Sequence, residues 1–156
     1  MDKKTSDAEC KQVLVAFLGT QTFGIPIMQI QDVLRARSIT QVPLAHACIE
    51  GVMNLRGRIV TAVNLRKRIA ATGDDSLAEQ GMSIVIEHEG ELFSLIVDRV
   101  GDVLSLNPDM IEDAPVTLNP LWKEICLGAY QLKGEIMLIL NTGIIFRMEN
   151  AAKREA

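Results

Sequence analysis

The sequence is poor in the residues that build catalytic, metal and disulfide sites. It has three cysteines and two histidines, and aromatic residues make up only 4% of the chain. An odd cysteine count without a Cys-x-x-Cys spacing argues against a disulfide framework and is typical of a reducing compartment. His46 and His88 lack the spacing that brings zinc ligands together. We therefore expect no metal site and interpret both histidines as ordinary surface residues.

Long apolar runs are also missing. The N-terminal residues contain no apolar run of the kind found in signal peptides. No stretch of the chain reaches the ~18 apolar residues of a membrane span. We therefore expect a cytoplasmic chain without direct membrane insertion. Neither a Gly-x-Ser-x-Gly nucleophile motif nor a glycine-rich phosphate loop occurs, which argues against an enzyme and against a nucleotide cofactor.

The balance of charge limits the possible partners. Charged residues make up 23% of the chain and the net charge is −4, so the basic excess of a nucleic-acid-binding protein is missing. Residues 1–75 carry ten basic and seven acidic residues, whereas residues 76–156 carry six and thirteen. The asymmetry has two interpretations: solvated loops, or a basic face in the first half that meets an acidic partner.

What the chain does have is an apolar fraction of 48% and an internal repeat. Residues 23–34 match residues 93–104 at an offset of 70, and both segments end in Asp-Val-Leu. Residues 54–64 match residues 131–141 at an offset of 77, each around a turn glycine. The order of features is the same in both halves, which indicates a duplicated unit of about 70 residues.

Each unit has the pattern of β structure. Short β-rich runs joined by glycine-containing turns predict hairpins over residues 13–27, 52–65 and 84–97. Residues 30–34 are predicted as a strand, and Pro43 to Ile49 as a short helix that Gly51 would end. A unit of about five strands and one short helix protects its sheet edges best by closing into a barrel.

The predicted fold is therefore mainly all-β. One domain over residues 12–146 consists of two repeated barrels, approximately 12–68 and 82–146, and strand exchange between them is left open. Residues 66–82 form the expected linker, and residues 1–11 and 149–156 are polar tails.

Arg56 is the main candidate for an interaction. It lies in the tight turn Asn54-Leu55-Arg56-Gly57, with Arg58 and the basic cluster 66–68 downstream. It is either a solvated turn residue or an anchor for a partner's carboxylate or carbonyl group.

The apolar residues exceed what two small barrels can bury, so part of them is expected in a groove or patch for protein contact. Candidates for that patch are Ile30, Val33, Leu34, Val52, Met53 and Ile59. Cys48 and Cys126 are interpreted as core residues.

At these residues the chain resembles the chemotaxis coupling (CheW-like) family, over residues 12–146. The segments that carry the resemblance are Phe23–Ile25, Thr40–Ala45, Asn54–Gly57, Val63–Arg66, Val97–Val100 and Asp102–Leu104.

The resemblance implies two intertwined five-stranded SH3-like β-barrels with short helices, no catalytic activity and no cofactor. It implies two protein partners: the regulatory domain of the chemotaxis histidine kinase and the cytoplasmic tip of chemoreceptors, with recruitment to membrane receptor arrays. The kinase-binding residues carried over from the family are Ile30, Asp32 and Gly51. The receptor-binding or coupling residues are Arg56, Gly57, Val97, Val100 and Val103.

Two alternatives stay open. The first is an adaptor of the same fold in another sensory or polar-localisation system. The second is a small-ligand-binding β-barrel, which would need a pocket with converging polar groups. The low aromatic and histidine content argues against the second.

Overall fold

Strands dominate the structure. This computed structural model describes residues 12–35, 49–65, 81–115 and 120–146, without the side chains of residues 49, 50 and 121. The strands in these ranges are β1 (Gln12–Leu18), β2 (Gln21–Pro26), β3 (Ile30–Arg35), β4 (Ile49–Leu55), β5 (Arg58–Asn64), β6 (Met82–His88), β7 (Glu91–Val97), β8 (Arg99–Ser105), β9 (Cys126–Leu132) and β10 (Glu135–Leu140). The helices are short: α1 (Pro120–Glu124), α2 (residues 142–146) and two 3₁₀ turns, Ile27–Gln29 and Pro108–Met110.

The strands form two curled five-stranded sheets, each containing strands from both repeats. The first sheet has the order β8-β1-β2-β10-β9 and the second has the order β3-β6-β7-β5-β4. The hairpin β1–β2 therefore lies among strands of the second repeat, and the hairpin β6–β7 lies among strands of the first. This arrangement confirms the predicted fold class of two intertwined five-stranded units.

The two hairpins are exchanged in the same way, and the strand register is equivalent in both sheets. Val13 pairs with Leu104 in the first sheet, and Ser83 pairs with Leu34 in the second. These are the same pairing displaced by 70 residues. The parallel pairs agree as well, since Phe23 pairs with Leu138 and Phe93 with Thr61.

The largest core lies between the two sheets. Phe23 and Ile25 reach it from the first sheet, and Phe93 and Leu95 from the second. The ring of Phe93 stacks on that of Phe146 in α2, with centroids 4.6 Å apart.

Each sheet also has a smaller apolar cluster on its other face, as the two-residue period of a strand requires. In β6, Ile84 and Ile86 point to the central core, whereas Val85 belongs to the small cluster of the second sheet. Each sheet therefore buries apolar side chains on both faces, against the other sheet on one and in a small cluster on the other.

The structure differs from the predicted boundaries at three places. Met82 is the first residue of β6, so the linker predicted over residues 66–82 is wrong at its last residue. Ile49 is the first residue of β4, so the helix predicted over Pro43 to Ile49 is wrong at its last residue. Gly51 does not end a helix; it lies in β4, beside a register shift between Ile49 and Gly51. Ile27 begins a 3₁₀ turn instead of continuing β2, which ends at Pro26.

Several predictions concern residues outside the described ranges. They are the helix over residues 43–48 with His46 and Cys48, the linker over residues 66–80, the basic cluster 66–68 and the two tails.

Candidate functional site

A strained two-residue turn holds Arg56 at the tip of the hairpin β4–β5. Arg56 and Gly57 both have positive φ angles, 51° and 86°, as in the type I′ turns that suit a twisted hairpin. Glycine adopts this conformation freely, whereas it is uncommon for arginine. The Gly57 N–H donates a hydrogen bond of 3.0 Å to Oδ1 of Asn54, which stabilises the turn. The side chain of Arg56 is 80% exposed.

Asp32 on β3 is the ion-pair partner of Arg56. Its Oδ2 atom lies 3.3 Å from Nη2 of Arg56, and its side chain is 23% exposed. Its Oδ1 atom accepts a hydrogen bond of 2.8 Å from the Val33 N–H. Strands β3 and β4 are the two edges of the second sheet. The ion pair therefore joins opposite edges of the sheet, which the curl of the sheet has brought together.

A shallow cleft of about 120 Å³ surrounds this ion pair. Its lining residues are Gln31, Asp32, Leu55, Arg56, Arg58, Val85 and Leu92. Val85 and Leu92 also belong to the small apolar cluster of the second sheet. Ile59 follows Arg58 on β5 and is 71% exposed. Because side chains alternate along a strand, Ile59 lies on the face of β5 opposite Arg58 and outside the lining of the cleft. The cleft itself combines charged and apolar side chains, which is typical of a surface that contacts another protein.

The structure brings some of the predicted site residues together. Asp32 and Arg56 share the cleft, and Gly57 is exposed at the same turn. Ile30 is half-buried and packs against the central core. Gly51 is buried in β4 opposite Ala62, with a φ of 154°. Ile30 and Gly51 therefore lie on the strands that carry the cleft but not in its lining.

The predicted receptor-binding valines are spread over two sheets. Val97 ends β7 in the second sheet, and its side chain is 1% exposed in the central core. Val100 is half-buried on β8 in the first sheet, packed against the same core. Val103 is 46% exposed on the same strand. The family resemblance gives all three valines the same receptor-binding role, but only Val103 is exposed well enough for direct contact.

His88 differs from its predicted place on the surface. Its side chain is only 16% exposed, and its ring lies 6.3 Å from the Phe146 ring of α2. The expectation of an ordinary surface histidine is therefore wrong for His88, because α2 packs against the end of β6.

Cys126 is half-buried against the central core, as predicted for a core residue. Burial raises the pKa of the Cys126 thiol to about 12, so the thiol is protonated at neutral pH and is a poor nucleophile. Within the described ranges, no three His, Cys, Asp or Glu side chains converge as metal ligands. None of the helices in those ranges is long and apolar enough to span a membrane.

Sequence reasoning identified Asp32 and Arg56 separately and missed their contact. It also missed Leu55, Val85 and Leu92 as lining residues of the cleft. The alternation of side chains along the strands could have indicated that Val85 lies on the face opposite Ile84. Which face opens onto the cleft depends on the curl of the sheet.

These features define a class of protein: a small β module with an exposed turn arginine, an exposed isoleucine and a shallow polar cleft, suited to docking other proteins. Residues 12–150 match the family model for the CheW-like domain. The chain belongs to the CheW-like family.

Two relatives and one solved structure illustrate the similarity. Chemotaxis protein CheW of Klebsiella aerogenes is 34% identical over 140 residues, covering 90% of this chain and 83% of the relative. Chemotaxis protein CheW of Treponema pallidum is 25% identical over 147 residues, which cover 90% of this chain and 85% of the relative. The crystal structure of the scaffolding protein TtCheW from Thermoanaerobacter tengcongensis has a TM-score of 0.74 and 28% identity. It covers 83% of this chain and 88% of that one.

Proposed function

We propose that the chain is a non-enzymatic chemotaxis adaptor that couples chemoreceptors to a histidine kinase. Membership of the CheW-like family supports this function, and the structural relative TtCheW is described as a scaffolding protein. The proposed partners are the regulatory domain of the kinase and the cytoplasmic tip of the receptors. Binding both places the adaptor in the cytoplasm, at membrane receptor arrays.

The observation that carries the proposal is the cleft around Asp32 and Arg56. Its two arginines, its carboxylate and its apolar lining residues form a mixed polar and apolar surface of the kind that binds proteins. At about 120 Å³ it is smaller than the roughly 300–1,000 Å³ pockets that enclose small ligands. A protein partner therefore fits this surface better than a small molecule does.

The two proposed docking surfaces lie on different sheets. The cleft belongs to the second sheet, and we assign it to the kinase because Asp32 lines it and β3 and β4 support it. This proposal moves Arg56, which the family resemblance gives as a receptor-binding or coupling residue, to the kinase surface because it shares the cleft with Asp32. The exposed face of β8, which includes Val103, belongs to the first sheet and is assigned to the receptor. Separate surfaces allow both partners to bind at once, which raises the effective concentration of kinase beside receptor. Coupling then requires contacts that differ between the signalling states of the receptor.

Arg56→Ala tests the proposal. The variant should bind the kinase regulatory domain about tenfold more weakly, because the substitution removes an exposed interface arginine. Its thermal melting should stay close to that of the wild type, since exposed ion pairs contribute little to stability. Titration calorimetry with the kinase domain and receptor-dependent kinase stimulation are the measurements.

Arg35→Ala is the matched control. Arg35 is an exposed arginine on β3 that does not line the cleft, and its substitution should leave both measurements unchanged. Wild-type kinase stimulation by folded Arg56→Ala would contradict the proposed role of the cleft.

A further inference from the structure

Among the described strands, the chain passes directly from one sheet to the other at β2–β3 and at β7–β8, and the second passage is the shorter. Strand β7 of the second sheet ends at Val97 and β8 of the first sheet begins at Arg99, so Asp98 alone makes the passage. In the first repeat the equivalent passage, from β2 to β3, uses the three-residue turn Ile27–Gln29. Asp98 therefore controls where β8 starts.

Asp98 binds the hairpin β1–β2 through its backbone and its side chain. Its N–H donates a hydrogen bond of 3.0 Å to the Phe17 carbonyl oxygen. Its Oδ2 atom accepts a hydrogen bond of 2.6 Å from the Gly19 N–H. Bonds to an ionised acceptor are stronger than bonds between neutral groups. Asp98 thus connects the passage between the sheets to the turn of the hairpin β1–β2.

The next residues of β8 continue this contact. The guanidinium carbon of Arg99 lies 4.1 Å from the centroid of the Phe17 ring, within the range of a cation–π interaction. A Cβ atom at Gly101 would lie 3.2 Å from Cε2 of Phe17. Glycine at this position lets the aromatic ring lie close against the strand.

The residues that make this contact are different at the equivalent passage from β2 to β3. At an offset of 70, Asp98 and Arg99 correspond to Met28 and Gln29, while Phe17 and Gly19 correspond to Glu87 and Glu89. Met28 is 75% exposed. The same strand exchange forms in the first repeat without an equivalent of the Asp98 carboxylate, so this carboxylate is not a general requirement of the repeated fold.

The position of β8 depends on this contact because its pairing is interrupted. Strand β8 is an edge strand that pairs with β1, and the register shifts between Leu14 and Ala16. Beyond the shift only Ala16 with Val100 and Phe17 with Arg99 remain paired. The contacts of Asp98 and Arg99 lie at this weakly paired end.

We propose that Asp98 and Arg99 are positioning residues for receptor binding. They hold the start of β8 against the hairpin β1–β2 and so set the position in which Val103 and its neighbours meet the receptor. This inference rests on the proposed function, since it assigns the receptor to β8. Neither residue needs to touch the receptor itself.

Asp98→Ala in the full chain tests the inference. The variant should bind a cytoplasmic receptor fragment about tenfold more weakly, because β8 is then held in its binding position for only a fraction of the time. Binding of the kinase regulatory domain should stay within about twofold, because Asp98 does not line the cleft to which the kinase is assigned. Asp98→Asn keeps an acceptor oxygen and should recover most of the receptor affinity. Met28→Ala, at the equivalent passage, is the control and should bind both partners as the wild type does.

Amide hydrogen exchange at Gly19 reports the contact directly. The Gly19 amide should exchange faster in Asp98→Ala than in the wild type, whereas the amide of Ala129, which bonds the Glu112 carbonyl oxygen, should be unaffected. Unchanged Gly19 exchange would show that the bond does not exist in solution. Equal weakening of receptor and kinase binding would reduce Asp98 to a structural residue, and unchanged receptor binding would remove its positioning role. If the wild-type chain binds neither partner, both the proposed function and this inference are wrong. If Arg56→Ala loses kinase binding while Asp98→Ala binds the receptor normally, only this inference is wrong.

Discussion

Two glycines at equivalent positions of the repeat are needed for different backbone reasons. Gly51 in β4 has a φ of 154° beside a register shift, a conformation that side chains disfavour. Gly128 in β9 is needed because there is no room for a side chain. A Cβ atom there would lie 2.6 Å from the Glu112 carbonyl oxygen. Glu112 exchanges two hydrogen bonds of 2.8 and 2.7 Å with Ala129. The backbone conformation therefore explains why glycine occupies position 51, whether or not Gly51 takes part in kinase binding.

Gly128→Ala should lower the free energy of unfolding by roughly 1–3 kcal/mol, because the added methyl group meets a backbone oxygen that cannot move without losing hydrogen bonds. Urea unfolding of the variant and the wild type measures the difference. Leu127→Ala on the same strand is the control, since Leu127 is 51% exposed and should change stability by less than about 0.5 kcal/mol. Equal stability of Gly128→Ala and the wild type would mean that β9 can move away from Glu112.

At the scale of the strands, the two sheets differ in how well their smaller clusters are filled. Val13 of β1 is fully buried in the small cluster of the first sheet. Its equivalent in β6 is Ser83, which is also fully buried, and Ser94 of β7 is buried as well. Neither hydroxyl has a hydrogen-bond partner among the described residues. Each unpaired buried hydroxyl costs about 1–3 kcal/mol, so these serines destabilise the second sheet at positions where the first sheet has no polar side chain.

Ser83→Ala should raise the free energy of unfolding by about 1 kcal/mol, because it removes a buried polar atom without enlarging the side chain. The same urea titration measures this, with Ser105→Ala on β8 as the exposed control. A clear loss of stability in Ser83→Ala would show that the Ser83 hydroxyl has a partner in solution.

At the scale of the whole molecule, the exchanged hairpins make each sheet depend on both halves of the chain. Neither repeat supplies a complete sheet by itself, since β1–β2 and β6–β7 each lie in the sheet of the other repeat. The central core also takes residues from both sheets. The two repeats therefore cannot unfold one after the other without exposing that core.

We expect a single cooperative unfolding transition, in spite of the duplicated sequence. Trp122 is the only tryptophan of the chain and lies 8% exposed in the central core. Its fluorescence and the circular dichroism of the strands should change at the same urea concentration. Phe93→Leu should shift both curves together, because Phe93 lies in the shared core. Two separated transitions would contradict the mutual dependence of the repeats.

Local sequence patterns were sufficient for the strands and turns. Residues 30–34 were predicted as a strand, and β3 covers Ile30–Arg35. The two-residue period, the β-branched residues and the turn glycines act over a few neighbouring residues, so they can be read without knowing the fold. The boundary at Ile49 was missed because a short apolar run fits a helix and a strand equally well.

The sequence alone determined the mainly β fold, the duplication, and Arg56 with Gly57 as a tight turn, because each depends on short-range backbone preferences. The tertiary structure decided that Asp32 meets Arg56, that Val97 is buried while Val103 is exposed, and that His88 packs against Phe146. These contacts join residues far apart in the chain, and they exist only because two curled sheets exchange hairpins and bury one shared core.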